Sequence, residues 1–240
     1  MSNLDLKIEE IEELKNRSKN LQIITYGKYN HGKSSLLNAL TNKEGRFKYA
    51  DKRETIEIQN FEEFGINWID TPGLDADIEE KDDYKANEML KKSDIILFVH
   101  NFKEGEFDNL ELNFLKDNKE KYIFIILTNL EEYSKTVLNK ITQQLVLNNI
   151  NFEIFQTSSV REFHKNEQIR LRSGIKELKN VIIENKQYLL DSRQSYINRI
   201  SNDIIILIDS KLEKLENKKS EIYNKIYNLN NKFIKEKNKV

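Results

Sequence analysis

One run of this chain has the residue types and spacing to hold a chain of phosphates. Gly27-Lys28-Tyr29-Asn30-His31-Gly32-Lys33-Ser34-Ser35 contains Gly-x4-Gly-Lys-Ser, and that spacing has a geometric purpose. Gly27 and Gly32 let the backbone curl until several N–H groups point inward, and a helix beginning behind them adds its positive end. Lys33 reaches the outer phosphates, and the Ser34 hydroxyl is placed to ligate Mg²⁺. A second group of chemical interest is Asp70-Thr71-Pro72-Gly73. Asp70 can hold the shell of the same ion, and the backbone N–H of Gly73 can meet a terminal phosphate. Pro72 is the only proline in the chain and gives that turn its stiffness.

These groups need particular elements around them. Leu21–Tyr26 is a short β-rich apolar run, and Leu36, Leu37 and Leu40 recur at helical spacing, so the glycine loop joins a strand to a helix. Further strands are predicted at Thr55–Phe61, Ile66–Asp70, Ile95–His100, Ile123–Leu127 and Phe152–Thr157. Helices are predicted at Lys33–Thr41, Asp82–Lys92, Asn109–Asn118, Lys135–Asn148 and Gly174–Leu190. Such alternation implies an α/β domain, a mostly parallel six-stranded sheet with helices on both faces, and ligands at the carboxyl ends of the strands. Both motifs fall at those ends.

The flanks read differently. Residues 4–19 form a predicted helix with Leu4, Ile8, Ile11 and Leu14 on one face. After Asp191 there is no glycine or proline. Ile208, Leu215, Ile222 and Leu229 lie seven apart, with Ile205, Leu212, Ile226 and Phe233 as the companion row and Lys219 in its gap. The expected division is a flanking helix at 1–20, a core domain at 21–188, and a helical or coiled-coil segment at 189–240.

Bulk composition excludes several classes. Lysine and arginine number 39 against 40 acidic residues, so net charge demands neither nucleic acid nor a membrane. Without cysteine there is no disulfide, thiolate metal site or thiol nucleophile. No signal-peptide pattern or membrane-length apolar run is present, and a cytoplasmic protein is expected.

The combination of Gly-x4-Gly-Lys-Ser-Ser-Leu-Leu-Asn-Ala-Leu with Asp-Thr-Pro-Gly resembles P-loop GTPases of the Era-like and translation-factor class, most closely the GTPase domain of bacterial dynamin-like proteins. The resemblance covers about residues 21–160. It implies a Ras-like domain that binds GTP and GDP with Mg²⁺ and hydrolyses GTP slowly without a partner. It also implies a Mg²⁺-sensing threonine between the two motifs, for which Thr55 is the candidate. The metal set is then Ser34, Thr55 and Asp70.

Departures from the family pattern matter too. The guanine-reading Asn/Thr-Lys-x-Asp appears as Thr128-Asn129-Leu130-Glu131, so Glu131 stands for the aspartate and Asn129 for the lysine. Asn129-Leu130-Glu131-Glu132 is a rival alignment. Ser158 and Ser159 follow the sixth strand where the family contacts the guanine oxygen. Leu74 occupies the place of a water-positioning glutamine. Asn30 matches the asparagine with which potassium-activated members hold K⁺, and otherwise serves as a turn residue.

His31 is expected at the loop surface, and His100 and His164 show no metal-ligand spacing. Asp75 to Asp83 form an exposed acidic segment. The candidate catalytic groups are therefore Lys33, Thr55, Asn30 and Gly73. Three functions fit. They are a dynamin-like GTPase whose helices meet a helical partner or another copy, an Era-like ribosome-associated GTPase, and a non-hydrolysing interaction module. A membrane partner is only weakly supported, because the lysines after Lys211 flank the seam as its wet side. Nucleic acid is disfavoured, because no Gly-x-x-Gly loop follows Gly105.

Overall fold

A computed structural model describes residues 5–9, 12, 19–48, 58–71, 89–132 and 134–237. The chain divides into two compact units, one of residues 18–191 and one of residues 1–17 with 192–240.

The larger unit is a six-stranded sheet with spatial order β2-β3-β1-β4-β5-β6. Its strands are β1 Leu21–Tyr26, β2 Gln59–Glu63, β3 Ile66–Asp70, β4 Ile95–Asn101, β5 Ile123–Thr128 and β6 Glu153–Gln156. Only β2 runs antiparallel, against β3. Phe64 and Gly65 turn the chain between them with positive φ at both residues (51° and 69°), the hairpin turn whose twist matches the strands. The expected strand at 55–61 is thus shifted toward the hairpin, and residues 51–57 lie outside the described set.

Helices α1 Lys33–Thr41, α2 Asn109–Asp117 and α3 Lys135–Leu147 follow, then the short α4 Ser159–Glu162 and α5 Glu167–Arg170, and finally α6 Ile175–Lys237. Strand alternation sorts the core into two layers. Ile95, Leu97 and Val99 of β4 with Phe124 and Ile126 of β5 meet Leu36, Leu37 and Leu40 of α1 and Leu178 and Ile182 of α6. Ile96 and Phe98 with Ile123, Ile125 and Leu127 meet Leu112 and Leu115 of α2 and Ile141 and Leu145 of α3. The central strands are apolar on both sides because both faces are covered.

The last core helix does not stop at Leu190 as expected. It continues as α6, since nothing after Gly174 breaks a helix. In the smaller unit Ile197 and Ile200 are buried, with Ile204 packed against them, and Lys7 pairs with Asp203 at 3.0 Å. The heptad seam beyond is open: Ile205, Leu212, Leu215, Ile222 and Leu229 are each about half exposed or more. Of the N-terminal helix, residues 5–9 and 12 are described, all helical. Among the described residues no helix is long and apolar enough to cross a membrane.

Leu97, fully buried at the middle of β4, tests this layering. Leu97→Ala is expected to lower unfolding stability by about 2–5 kcal/mol, read from urea denaturation.

Candidate functional site

The glycine loop leaves β1 where the backbone cannot carry a side chain. At Gly27 φ is 149°, and a Cβ there would lie 2.2 Å from the Val99 carbonyl oxygen of the neighbouring β4. Asn30 sits in the left-handed region (φ 58°) and Gly32 has φ 90°. Asparagine tolerates that conformation better than most residues, which is sufficient reason for its presence at 30. Gly32 then starts α1, where Leu36 N–H donates to its carbonyl at 2.9 Å.

Three of the expected residues come together above this loop. The Lys33 amine crosses the loop and donates to the carbonyls of Gly27 (3.0 Å) and Lys28 (2.8 Å). Ser34 Oγ donates to Asp70 Oδ2 at 2.5 Å, and Thr25 Oγ1 donates to Asp70 Oδ1 at 3.0 Å. Asp70 is buried, and burial pushes its carboxyl above the ordinary range. The Ser34 hydrogen bond, the Lys33 charge and the Thr25 hydrogen bond oppose that rise without cancelling it. A buried carboxylate of this kind gains from a cation. Mg²⁺ fits the donor set, because hydroxyl and carboxylate are the hard oxygens it takes. Thr55 and Gly73, with Pro72, Leu74 and the acidic segment, lie outside the described residues.

The base-reading candidates gather at the ends of β5 and β6. Thr128 Oγ1 donates to the carbonyl of His31 at 2.7 Å, tying this end of β5 to the phosphate loop. Asn129 has φ 59° and donates to Asn101 Oδ1 at 2.8 Å. Leu130 N–H reaches the Thr157 carbonyl at 3.2 Å, and the Ser158 hydroxyl bonds the Glu131 carboxylate. Ser158 also caps α4, whose first residue is Ser159. Ser35 is half-buried in the first turn of α1.

His31 corrects the sequence reading. Its side chain is fully buried, not at the loop surface, and it turns inward to His100 and Glu111. The loop therefore presents His31 to a ligand through its backbone alone. His100 Nδ1 lies 2.7 Å from Glu111 Oε1, so histidines without sequence spacing for a metal meet in space. Burial holds the His31 imidazole below its ordinary pKa. Burial would raise Glu111, but the His100 hydrogen bond and charge bring it below the usual range. Lys28, also from the loop, pairs with Asp108 at 2.7 Å. Burial opposes its charge, yet the Asp108 hydrogen bond and the nearby carboxylates raise its pKa.

Sequence reasoning set His100 aside for want of metal-ligand spacing and gave no role to Lys28, Glu104 or Glu111. One available signal was the capping box Asp108-x-x-Glu111 opening α2, which fixes where the Glu111 carboxylate points.

Comparison with known proteins places this geometry among relatives. A family model described as 50S ribosome-binding GTPase matches residues 22–130. A probable GTP-binding protein EngB of Mycoplasmopsis synoviae is 31% identical over 139 residues, covering 53% of this chain and 73% of that protein. An uncharacterized protein of Acinetobacter baylyi is 35% identical over 170 residues, covering 68% of this chain and 38% of its own length. The tRNA modification GTPase MnmE of Mycoplasma mycoides is 32% identical over 165 residues, covering 63% of this chain and 36% of its own. The chain thus spans well under half the length of the last two.

Among solved structures, a chain of an oligomerised bacterial dynamin pair aligns over 95% of this chain and 47% of its own, with TM-score 0.57 and 16% identity. Aquifex aeolicus Era aligns over 68% of this chain and 56% of its own, with TM-score 0.52 and 20% identity. At these identities the likeness is one of fold.

Thr128→Val removes the hydrogen bond between the two ligand-facing loops and leaves the buried His31 carbonyl without that donor. The expected loss is about 1–3 kcal/mol in urea unfolding. Thr142→Val, at an exposed helical threonine, should stay within about 0.5 kcal/mol of the parent.

Proposed function

From the premise that this chain belongs to the P-loop GTPase family, we propose that it binds GTP with Mg²⁺, hydrolyses it to GDP and phosphate, and passes the nucleotide state to its long helix in a dynamin-like system. The observation that carries this reading is the convergence of Lys33, Ser34 and Asp70 over a glycine loop that only Gly27 lets pass β4. In-line phosphoryl transfer asks mainly for positioning and charge stabilisation. Lys33 is the cation for the outer phosphates, and the loop N–H groups with the start of α1 orient them. Ser34 and Asp70 are the ligands for Mg²⁺, which neutralises phosphate charge when bound. By family resemblance, Thr55 and Gly73 would sense the terminal phosphate, and Asn30 would hold K⁺ against the phosphates in place of an arginine.

Glu131 is the proposed guanine reader. Its carboxylate, presented beside Ser158 at the ends of β5 and β6, keeps two acceptor oxygens for the base. Asn129, bonded to Asn101, supplies no lysine stem over the base, so guanine affinity below that of the family pattern is part of the reading.

Support for the dynamin-like role comes from the fold likeness to the bacterial dynamin chain, which extends over 95% of this chain. The Era likenesses cover 68% and 70% of it. The open heptad seam on α6 favours a helical protein partner or another copy over lipid. A second reading, an Era-like GTPase acting at the ribosome, draws on the description of the family model. Co-sedimentation with ribosomes that persists at moderate salt would favour it.

Single-turnover phosphate release separates a GTPase from a non-hydrolysing module. The expected result is release by the parent chain and none by Lys33→Ala. Absence of release from both would leave only the binding role. Hydrolysis is also expected to run faster in KCl than in NaCl. Asn30→Gly, which keeps the left-handed backbone without strain, should erase the difference. Equal parental rates in the two salts would remove the potassium assignment.

A further inference from the structure

Two histidines and a glutamate meet inside the protein, behind the phosphate loop. His31, His100 and Glu111 are all fully buried, and one donor atom from each lies within 4.8 Å of the others. His100 Nδ1 and His31 Nδ1 are 2.7 Å and 3.7 Å from the same oxygen, Glu111 Oε1. The two rings meet edge to face at 5.3 Å. The Val99 carbonyl is a further oxygen, 3.2 Å from His31 Nδ1.

Counting protons shows what the pocket lacks. Each ring nitrogen faces an acceptor. For His100 these are Glu111 Oε1 and the Gly105 carbonyl, the latter 3.0 Å from Nε2. For His31 they are the Val99 carbonyl and Glu104 Oε1, the latter 3.1 Å from Nε2. Two neutral imidazoles carry one N–H apiece, so two of these approaches lack a proton. His31 Nε2 is buried and makes no aligned hydrogen bond.

We infer that His31 Nδ1, His100 Nδ1 and Glu111 Oε1 bind one divalent transition-metal ion, with Zn²⁺ the best match. Two histidines and a glutamate are a zinc donor set, and bond lengths near 2.0–2.1 Å put tetrahedral ligands about 3.3 Å apart. The two separations to Glu111 Oε1, 2.7 and 3.7 Å, bracket that value, and the third lies within 4.8 Å. Metallation also settles the tautomers. With both Nδ1 atoms given to the ion, each Nε2 keeps its hydrogen; that of His100 donates to the Gly105 carbonyl, and that of His31 lies 3.1 Å from the Glu104 carboxylate. A ligating histidine anchored through its other nitrogen to a carbonyl or carboxylate is the usual outer-shell arrangement.

Lys28 does not fill the pocket. Its amine pairs with Asp108 at 2.7 Å and approaches the other Glu111 oxygen at 3.6 Å. The donor set also differs from that at Ser34 and Asp70, where hard oxygens alone suit Mg²⁺. An ion held this way would fasten loop residue 31 to β4 and to α2, and the site stands whatever the loop binds.

The test uses the full chain without a histidine tag, loaded with Zn²⁺ or Co²⁺ and dialysed into metal-free buffer containing Mg²⁺. Elemental analysis is expected to find about one Zn²⁺ per chain, and Co²⁺ should show the intense visible bands of a four-coordinate ion. Glu111→Gln and His100→Gln, with folding checked by circular dichroism, should lose at least about ten-fold in metal affinity. Ser34→Ala should keep the Co²⁺ spectrum. Zinc far below one per chain in the parent protein would overturn the assignment and leave the histidines to protons. So would a Co²⁺ spectrum that Mg²⁺ competes away or that Ser34→Ala abolishes, since the ion would then sit at the hydroxyl site.

Discussion

The α-carbon of Gly27 passes so close to β4 that the Val99 carbonyl oxygen occupies the space of a side chain. β1 and β4 are parallel neighbours, paired from Ile23 with Ile95 through Tyr26 with Phe98. The chain leaving β1 must therefore cross the end of β4 at contact distance. That crossing gives the loop its tight curl and keeps Lys33 folded back over its own carbonyls. It also brings the His31 carbonyl within reach of Thr128 on β5. Replacing Gly27 by any residue with a Cβ would push the loop off β4 and separate these contacts together.

The second organising force is electrostatic. Asp70 is held at the end of β3 by Thr25 and Ser34 in a place where burial disfavours its charge. The protein keeps a carboxylate there at a cost, and a cation is what offsets it. Behind the loop the same logic applies to His31, His100 and Glu111, where acceptors outnumber the protons that neutral rings supply. The two places differ in donor chemistry, oxygen alone against nitrogen with oxygen. Two different ions can therefore coexist about one loop.

Much of the larger unit was legible in the sequence. The ranges of β1, β3 and α1 follow directly from apolar runs bounded by the loop and by Asp70, because both central strands are covered on two faces. β2 was less legible. It is a partly exposed edge strand, Gln59–Glu63, whose place is set by the Phe64–Gly65 turn and by pairing with β3, not by its own composition. The end of the last core helix was misplaced because a change of character at Asp191 carries no helix-breaking residue. The histidine pocket was illegible for a different reason. Gly-x4-Gly-Lys-Ser leaves residue 31 unspecified, and whether it faces water or core is decided by β4 and α2, some seventy to eighty positions away.

The central claim is that this loop holds nucleotide phosphates together with a divalent ion at Ser34 and Asp70. The direct measurement is calorimetric titration of the full chain with GTP, in the presence and absence of Mg²⁺, for the parent and for Lys33→Ala. Saturable binding by the parent, weakened about ten-fold or more without Mg²⁺ and lost in Lys33→Ala, is the predicted result. GTP binding with the same affinity in Lys33→Ala as in the parent would contradict it.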